Sequence, residues 1–208
     1  MTRTIILVVT IVAAVVDWWS RVAARDRVEQ WAKPLTTIGV IGLALSSGGP
    51  TGEVRWATIA LVLCLVGDVA LLPRVDRFVL GLGSFLLGHV AFIGAFVAHG
   101  VDEITLTGVA FVAAGLLIAT VGMVVVRGAA ANSRSLRTPV LSYLVVISAM
   151  AAVGWGTGSP LIILGSTAFV VSDAVLGWRQ FVRPVRHGSL LVMVTYHLAI
   201  GSLALSLW

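Results

Sequence analysis

Long windows almost free of charge recur along the whole chain, each of a length that can cross the hydrocarbon core of a bilayer, and they leave little sequence for anything else. With 59% hydrophobic and 11% charged residues, a chain of 208 residues has too little polar surface to cover a water-soluble globule. The expected fold class is therefore an all-α integral membrane protein. About eight transmembrane helices are predicted, at 4–19, 33–47, 55–72, 77–98, 104–126, 138–153, 159–178 and 187–207, forming a single domain over 1–208. The sixth and seventh are separated at Gly154, Gly156, Gly158 and Pro160, breakers that a tight reversal needs.

A formal net charge of +5 raises the question of nucleic acid, and the placement of the fourteen Lys and Arg answers it. Twelve fall in alternate connections between spans, from Arg21, Arg25, Arg27 and Lys33 to Arg179, Arg183 and Arg186. The connection between the fourth and fifth spans carries only Asp102 and Glu103. This is the asymmetry of a membrane protein, so no nucleic-acid partner is expected, and the basic connections are predicted to be cytoplasmic with both termini outside the cell membrane. The first span lacks a weighty basic flank and completes an even helix count, so it reads as an uncleaved helix. The single cysteine, Cys64, lies within the third span and reads as a packing residue.

The two halves of the chain echo each other. Pro34 and Pro139, expected to open the second and sixth spans, and Asp68 and Asp173, late in the third and seventh, are both pairs 105 residues apart. Gly67-Asp68-Val69-Ala70-Leu71 stands against Ser172-Asp173-Ala174-Val175-Leu176, and a histidine follows in the next span of each half, His89 and His197. Two tandem repeats, about 1–103 and 104–208, are predicted, related by an axis along the membrane normal and bringing the two Asp residues face to face.

Few groups within the spans can ionise. An Asp near a helix centre costs roughly 2.5–3.5 kcal/mol even on the lenient insertion scale, so Asp68 and Asp173 demand a reason. His89, His197, Tyr143 and Lys33 fall in the same, cytoplasmic half of the bundle, where an inward-opening polar cavity is expected. Helix packing is the competing explanation for the Asp and His residues, a membrane interface for Tyr143 and snorkelling from a helix end for Lys33, and Asp17 with Trp18 and Trp19 reads as an interfacial belt. Ser84 and Gly88 have the spacing of close helix packing. Two carboxyls in a desolvated site can share one proton and so divide the roles of acid and base; Asp68 is the candidate acid, although the pair is expected to titrate as a unit. No metal-binding spacing stands out.

Gly67-Asp68, then Ser84-Phe85-Leu86-Leu87-Gly88-His89, then Ser172-Asp173, with Lys33-Pro34-Leu35 and Tyr196-His197, form a pattern that resembles the YhhN-like lysoplasmalogenase family of multipass membrane proteins along nearly the whole chain. The resemblance implies hydrolysis of the vinyl ether bond of lysoplasmalogens to a fatty aldehyde and a glycerophospho-alcohol, with Asp68 and Asp173 at the family's acidic positions. The partners it implies are a lysophospholipid substrate and the membrane lipids. Such hydrolysis begins with protonation of a carbon and passes through an oxocarbenium-like cation, which an acid and a carboxylate can manage without a cofactor. His89, His197, Tyr143 and Tyr196 are then expected to support the water or the lipid, and Lys33 or Arg74 to hold the phosphate. A narrow apolar channel should adjoin the cavity. Two rival readings remain: a transporter or flippase, which would show polar groups along a route to the opposite face, and a hydrolase with zinc on Asp68, His89, Asp173 and His197.

Overall fold

The computed structural model describes residues 2–49 and 51–208, and among them the secondary structure is helical with no strand. The helices are α1 (Thr2–Val22), α2 (Asp26–Leu45), α3 (Gly52–Ala70), α4 (Phe78–His99), α5 (Ile104–Leu117), α6 (Met123–Asn132), α7 (Arg137–Gly156), α8 (Pro160–Phe181) and α9 (Gly188–Leu205). A single π-helical turn, Ile118–Gly122, joins α5 and α6 end to end, so these two count as one rod of 29 residues and the described residues form eight rods. Six of the eight are long and apolar enough to cross a membrane. The other two, α2 and α3, carry the charges Asp26, Arg27, Glu29 and Lys33, and Glu53, Arg55 and Asp68.

Several boundaries differ from expectation. The second helix begins at Asp26, not at Lys33, so Pro34 lies inside α2 instead of opening it, while Pro139 is in the first turn of α7. The reason is electrostatic: Asp26 and Glu29 favour a helix N-terminus, and the extra turns place Glu29 and Lys33 where other helices compensate them. The fifth span runs on to Asn132. The reversal at the glycine-rich stretch does occur, with Gly158 at φ +67° between α7 and α8, where an L side chain would be strained.

The large side chains that remain exposed, among them Val8, Val12, Ile104, Val112 and Leu116, are apolar and form the outer surface; Leu61, Phe92, Met150, Phe169 and Ile200 are sealed at the centre. That distribution suits a bundle whose surroundings are hydrocarbon. α3 lies along α4 and α8 along α9. Both pairs are drawn tight by missing side chains: a Cβ on Gly88 would meet the Ala60 carbonyl oxygen at 3.3 Å, and one on Gly165 the Ala199 carbonyl oxygen at 3.0 Å. The Ser84 and Gly88 spacing thus marks a real close approach.

Candidate active site in a buried polar chamber

A chamber of about 330 Å³ is lined by residues of six helices, α1 to α4, α8 and α9, including Arg21, Glu29, Lys33, Asp68, Phe85, Asp173, Arg179 and Tyr196. It lies at the end of the bundle where α1 meets α2, α3 meets α4 and α8 meets α9. Beside it runs a narrower apolar slot of about 70 Å³ between α4, the α5–α6 rod, α7 and α8. The two cavities share Leu71, Phe85, Asp173 and Leu176 as common wall. The expected apolar channel next to a polar site is thus present.

Asp68 is wholly enclosed. Its Oδ2 accepts hydrogen bonds from the Thr37 hydroxyl at 2.6 Å and the Tyr196 hydroxyl at 2.7 Å, while Lys33 Nζ stands 3.4 Å from Oδ1. Lys33 and Thr37 are one helical turn apart on α2 and so present one face, and Tyr196 comes from α9. Lys33 does not guard a helix entrance; it is buried in the third turn of α2, opposite a carboxylate that offsets its charge.

Asp173 is held differently. Its Oδ2 accepts a short hydrogen bond from the Tyr143 hydroxyl of α7, and His89 Nε2 of α4 lies 3.3 Å from the same oxygen and 3.0 Å from the Tyr143 hydroxyl. The three groups form a closed triangle. His89 Nδ1 is buried and has no partner. The Asp173 side chain keeps 13% of its surface exposed, against none for Asp68. α8 runs eight residues past Asp173, about 12 Å of helix, whereas α3 ends two residues past Asp68, so the two carboxylates are not at matching distances from their helix ends.

The remaining predicted residues are placed elsewhere. His197 does not line the chamber: Trp18 Nε1 donates to its Nδ1 at 3.0 Å, and its Nε2 is buried without a partner. Arg74, expected beside the phosphate, is exposed on the connection after α3 and is not among the residues that line the chamber. Asp17 is no belt residue; it is sealed inside, 3.3 Å from Arg21, whose other nitrogen pairs with Glu29 at 2.6 Å. A buried acid one helical turn before an arginine needs that arginine, and the pair consumes the charges that the sequence presents as a flank. Among the described residues no three of His, Cys, Asp and Glu converge as a metal group, and His89 and His197 sit against different helices.

Sequence reasoning missed Thr37, Arg21, Glu29 and Arg179. Of the chamber's cations, Arg179 alone has no carboxylate partner among the described residues. The i, i+4 relation of Lys33 to Thr37, and of Asp17 to Arg21, was the available signal.

Fold and site together define an all-helical multipass membrane protein with a two-carboxylate chamber set beside an apolar slot. The chain belongs to the YhhN family, whose pattern it matches over residues 28–207. It is similar to a lysoplasmalogenase of Mycobacterium tuberculosis (strain CDC 1551 / Oshkosh), 30% identical over 151 residues, 70% of this chain and 58% of that protein. It is also similar to human lysoplasmalogenase TMEM86B, 28% identical over 172 residues, 79% of this chain and 67% of that protein. The chain thus spans less than two thirds of the length of the mycobacterial relatives it matches. No solved structure matches it.

Proposed function

We propose that this protein is a membrane lipid hydrolase of the cell membrane that cleaves the vinyl ether bond of lysoplasmalogen-type lysophospholipids, giving a fatty aldehyde and a glycerophospho-alcohol. The observation that carries the reading is the position of Asp173, a carboxylate on the wall common to a polar chamber and an apolar slot. A single-chain phospholipid needs that junction, with its head group in one cavity, its chain in the other and the ether oxygen between. The names of the relatives support the reaction class.

In this reading Asp173 transfers a proton to the vinyl carbon remote from the ether oxygen, leaving an oxocarbenium cation. The Asp173 carboxylate next takes a proton from water as that water adds to the cation. The hemiacetal then collapses to aldehyde and alcohol. One water is consumed and Asp173 recovers its proton, so no cofactor is drawn upon. Tyr143 and His89 hold the carboxyl and can pass protons to and from it. Asp68, enclosed and paired with Lys33, serves the field around the cation and the position of Tyr196. This favours Asp173 over Asp68 as the proton-exchanging group, the reverse of the preference from sequence. Arg179, which lines the chamber and is free of carboxylate partners among the described residues, takes the role of phosphate ligand in place of Arg74, which lies outside the lining.

The same reading includes the tandem repeat and the orientation. Asp68 is held by α2 of its own half and α9 of the other, Asp173 by α7 of its own half and α4 of the other, an exchange that suits a two-fold relation. Labelling of engineered cysteines should find both termini, Asp102 and Glu103 outside and Arg134 inside; a cytoplasmic C-terminus would overturn that orientation. The function itself is tested by offering purified protein a panel of lysolipids with and without a vinyl ether. Aldehyde release from the vinyl ether member alone is expected, and release from none would sink the proposal.

A further inference from the structure

The apolar slot has an unusual wall. α4 packs on α3 and α7, and the α5–α6 rod packs on α7 and α8, but α4 and the rod scarcely touch, although both line the slot. One apolar side chain of α4, Leu82, closes the gap by packing on the cluster of Val125, Val126, Ala129 and Val140, and beside it Phe78 meets the Phe181 ring of α8 edge-on at a centroid distance of 5.5 Å. Hydrophobic side chains that can change rotamer, with lipid on their outer side, make an opening that needs no movement of helices. The rod's side of the wall is centred on the π turn: Ile118, Val121 and Gly122 border the slot, flanked by Leu117 and Val125. A π turn widens a helix at one point and redirects the side chains beyond it, and such turns concentrate at functional sites.

We propose that the gap between α4 and the α5–α6 rod is the passage by which a single-chain amphiphile moves from the bilayer into the slot, and that the π turn Ile118–Gly122 is the wall that limits the length of hydrocarbon chain accepted. The proposal rests on the reading of the slot as the chain's binding place. A substrate delivered sideways keeps its chain in apolar surroundings throughout, and only its head group passes to the chamber at Asp173.

The test uses saturated ether lysophosphocholines, which lack the vinyl bond and are not cleaved, bound to the purified protein in lipid nanodiscs. Val121→Trp should weaken binding of long chains by at least ~10-fold relative to short ones, the loss expected when roughly two methylenes are forced out of apolar cover. Val112→Trp, on the same rod but facing outward, should change neither. Should Val121→Trp fail to fold, Val121→Phe gives the same ranking with a smaller separation. Leu82→Trp should slow association by about 10-fold while leaving the preference for chain length as in the unaltered protein. Equal weakening of long and short chains by Val121→Trp, no association effect of Leu82→Trp, or no binding of these lipids by the unaltered protein overturns the inference. Length-dependent binding without hydrolysis of a vinyl ether lysolipid would leave the inference standing and remove the proposed reaction. Hydrolysis with both tryptophan variants unaffected would do the opposite.

Discussion

Asp68 and Asp173 lie 105 residues apart in similar local sequences, yet the fold treats them differently. Asp68 is sealed and neutralised, with a lysine, a threonine and a tyrosine directed at it. Asp173 meets only neutral-capable partners, Tyr143 and His89, and reaches two cavities. In the proposed mechanism the two buried carboxylates serve different purposes: Asp68, compensated by a full charge, is a structural anchor, whereas Asp173, compensated by hydroxyl and imidazole, keeps a proton free to move.

The sharpest way to break this contrast is to measure stability. Asp68→Asn strands Lys33 in the interior, so unfolding in detergent should show a loss of about 3–5 kcal/mol, much of it regained in the double variant Asp68→Asn with Lys33→Met. If Asp68→Asn unfolds like the unaltered protein, the anchor role is wrong. Asp173→Asn should instead keep its stability and lose turnover by at least ~10²-fold in the aldehyde-release assay, because it removes one transition-state proton transfer. Near-normal turnover there would return Asp173 to a packing role. Tyr143→Phe removes one hydrogen bond to that carboxylate while preserving the ring; turnover is expected to fall less than with Asp173→Asn, and a larger fall would make the tyrosine the proton donor. The smallest effects belong to residues outside the chamber. Trp18→Phe, which breaks the bond to His197, should cost about 1 kcal/mol of stability without a change in turnover, and Arg74→Ala should stay within about ±0.5 kcal/mol and leave the apparent affinity for lysophospholipid unaltered.

The helices were legible because lipid tolerates so few charges that apolar windows outline the spans, and because any Asp, His or Tyr within them stands out. For the same reason Asp68, Asp173, His89, Tyr143, Lys33 and Tyr196 could be picked from sequence, and the structure brings all six to the chamber, the slot or the residues bordering them. What stayed hidden was charge that cancels charge. Residues 26–33 look like a solvent-exposed connection because four of them are charged, whereas Glu29 and Lys33 are compensated by Arg21 and Asp68 from other helices. Arg21 and Arg179 resemble topology-setting flanks, and Thr37 carries no charge to draw notice. His197 and Arg74 illustrate the converse: position along the chain set their expected depth, but only the facing helix decides where a side chain points. The π turn has no signature at all, since Ile118-Ala119-Thr120-Val121-Gly122 continues an apolar helix without a breaker until its last residue.

That turn also has a consequence for how the chain can change over time. A single π turn is geometrically an α-helix with one residue too many, and one residue is about 100° of rotation. Everything downstream on the rod is phased to the surplus residue, including Val125, Val126 and Ala129, which are buried, and Gly128, whose absent side chain lets α6 lie against the backbone of α8 at Phe181. Removing one residue anywhere in the turn would restore a regular helix and swing that whole face toward lipid, so in this stretch the number of residues is under tighter constraint than their identity.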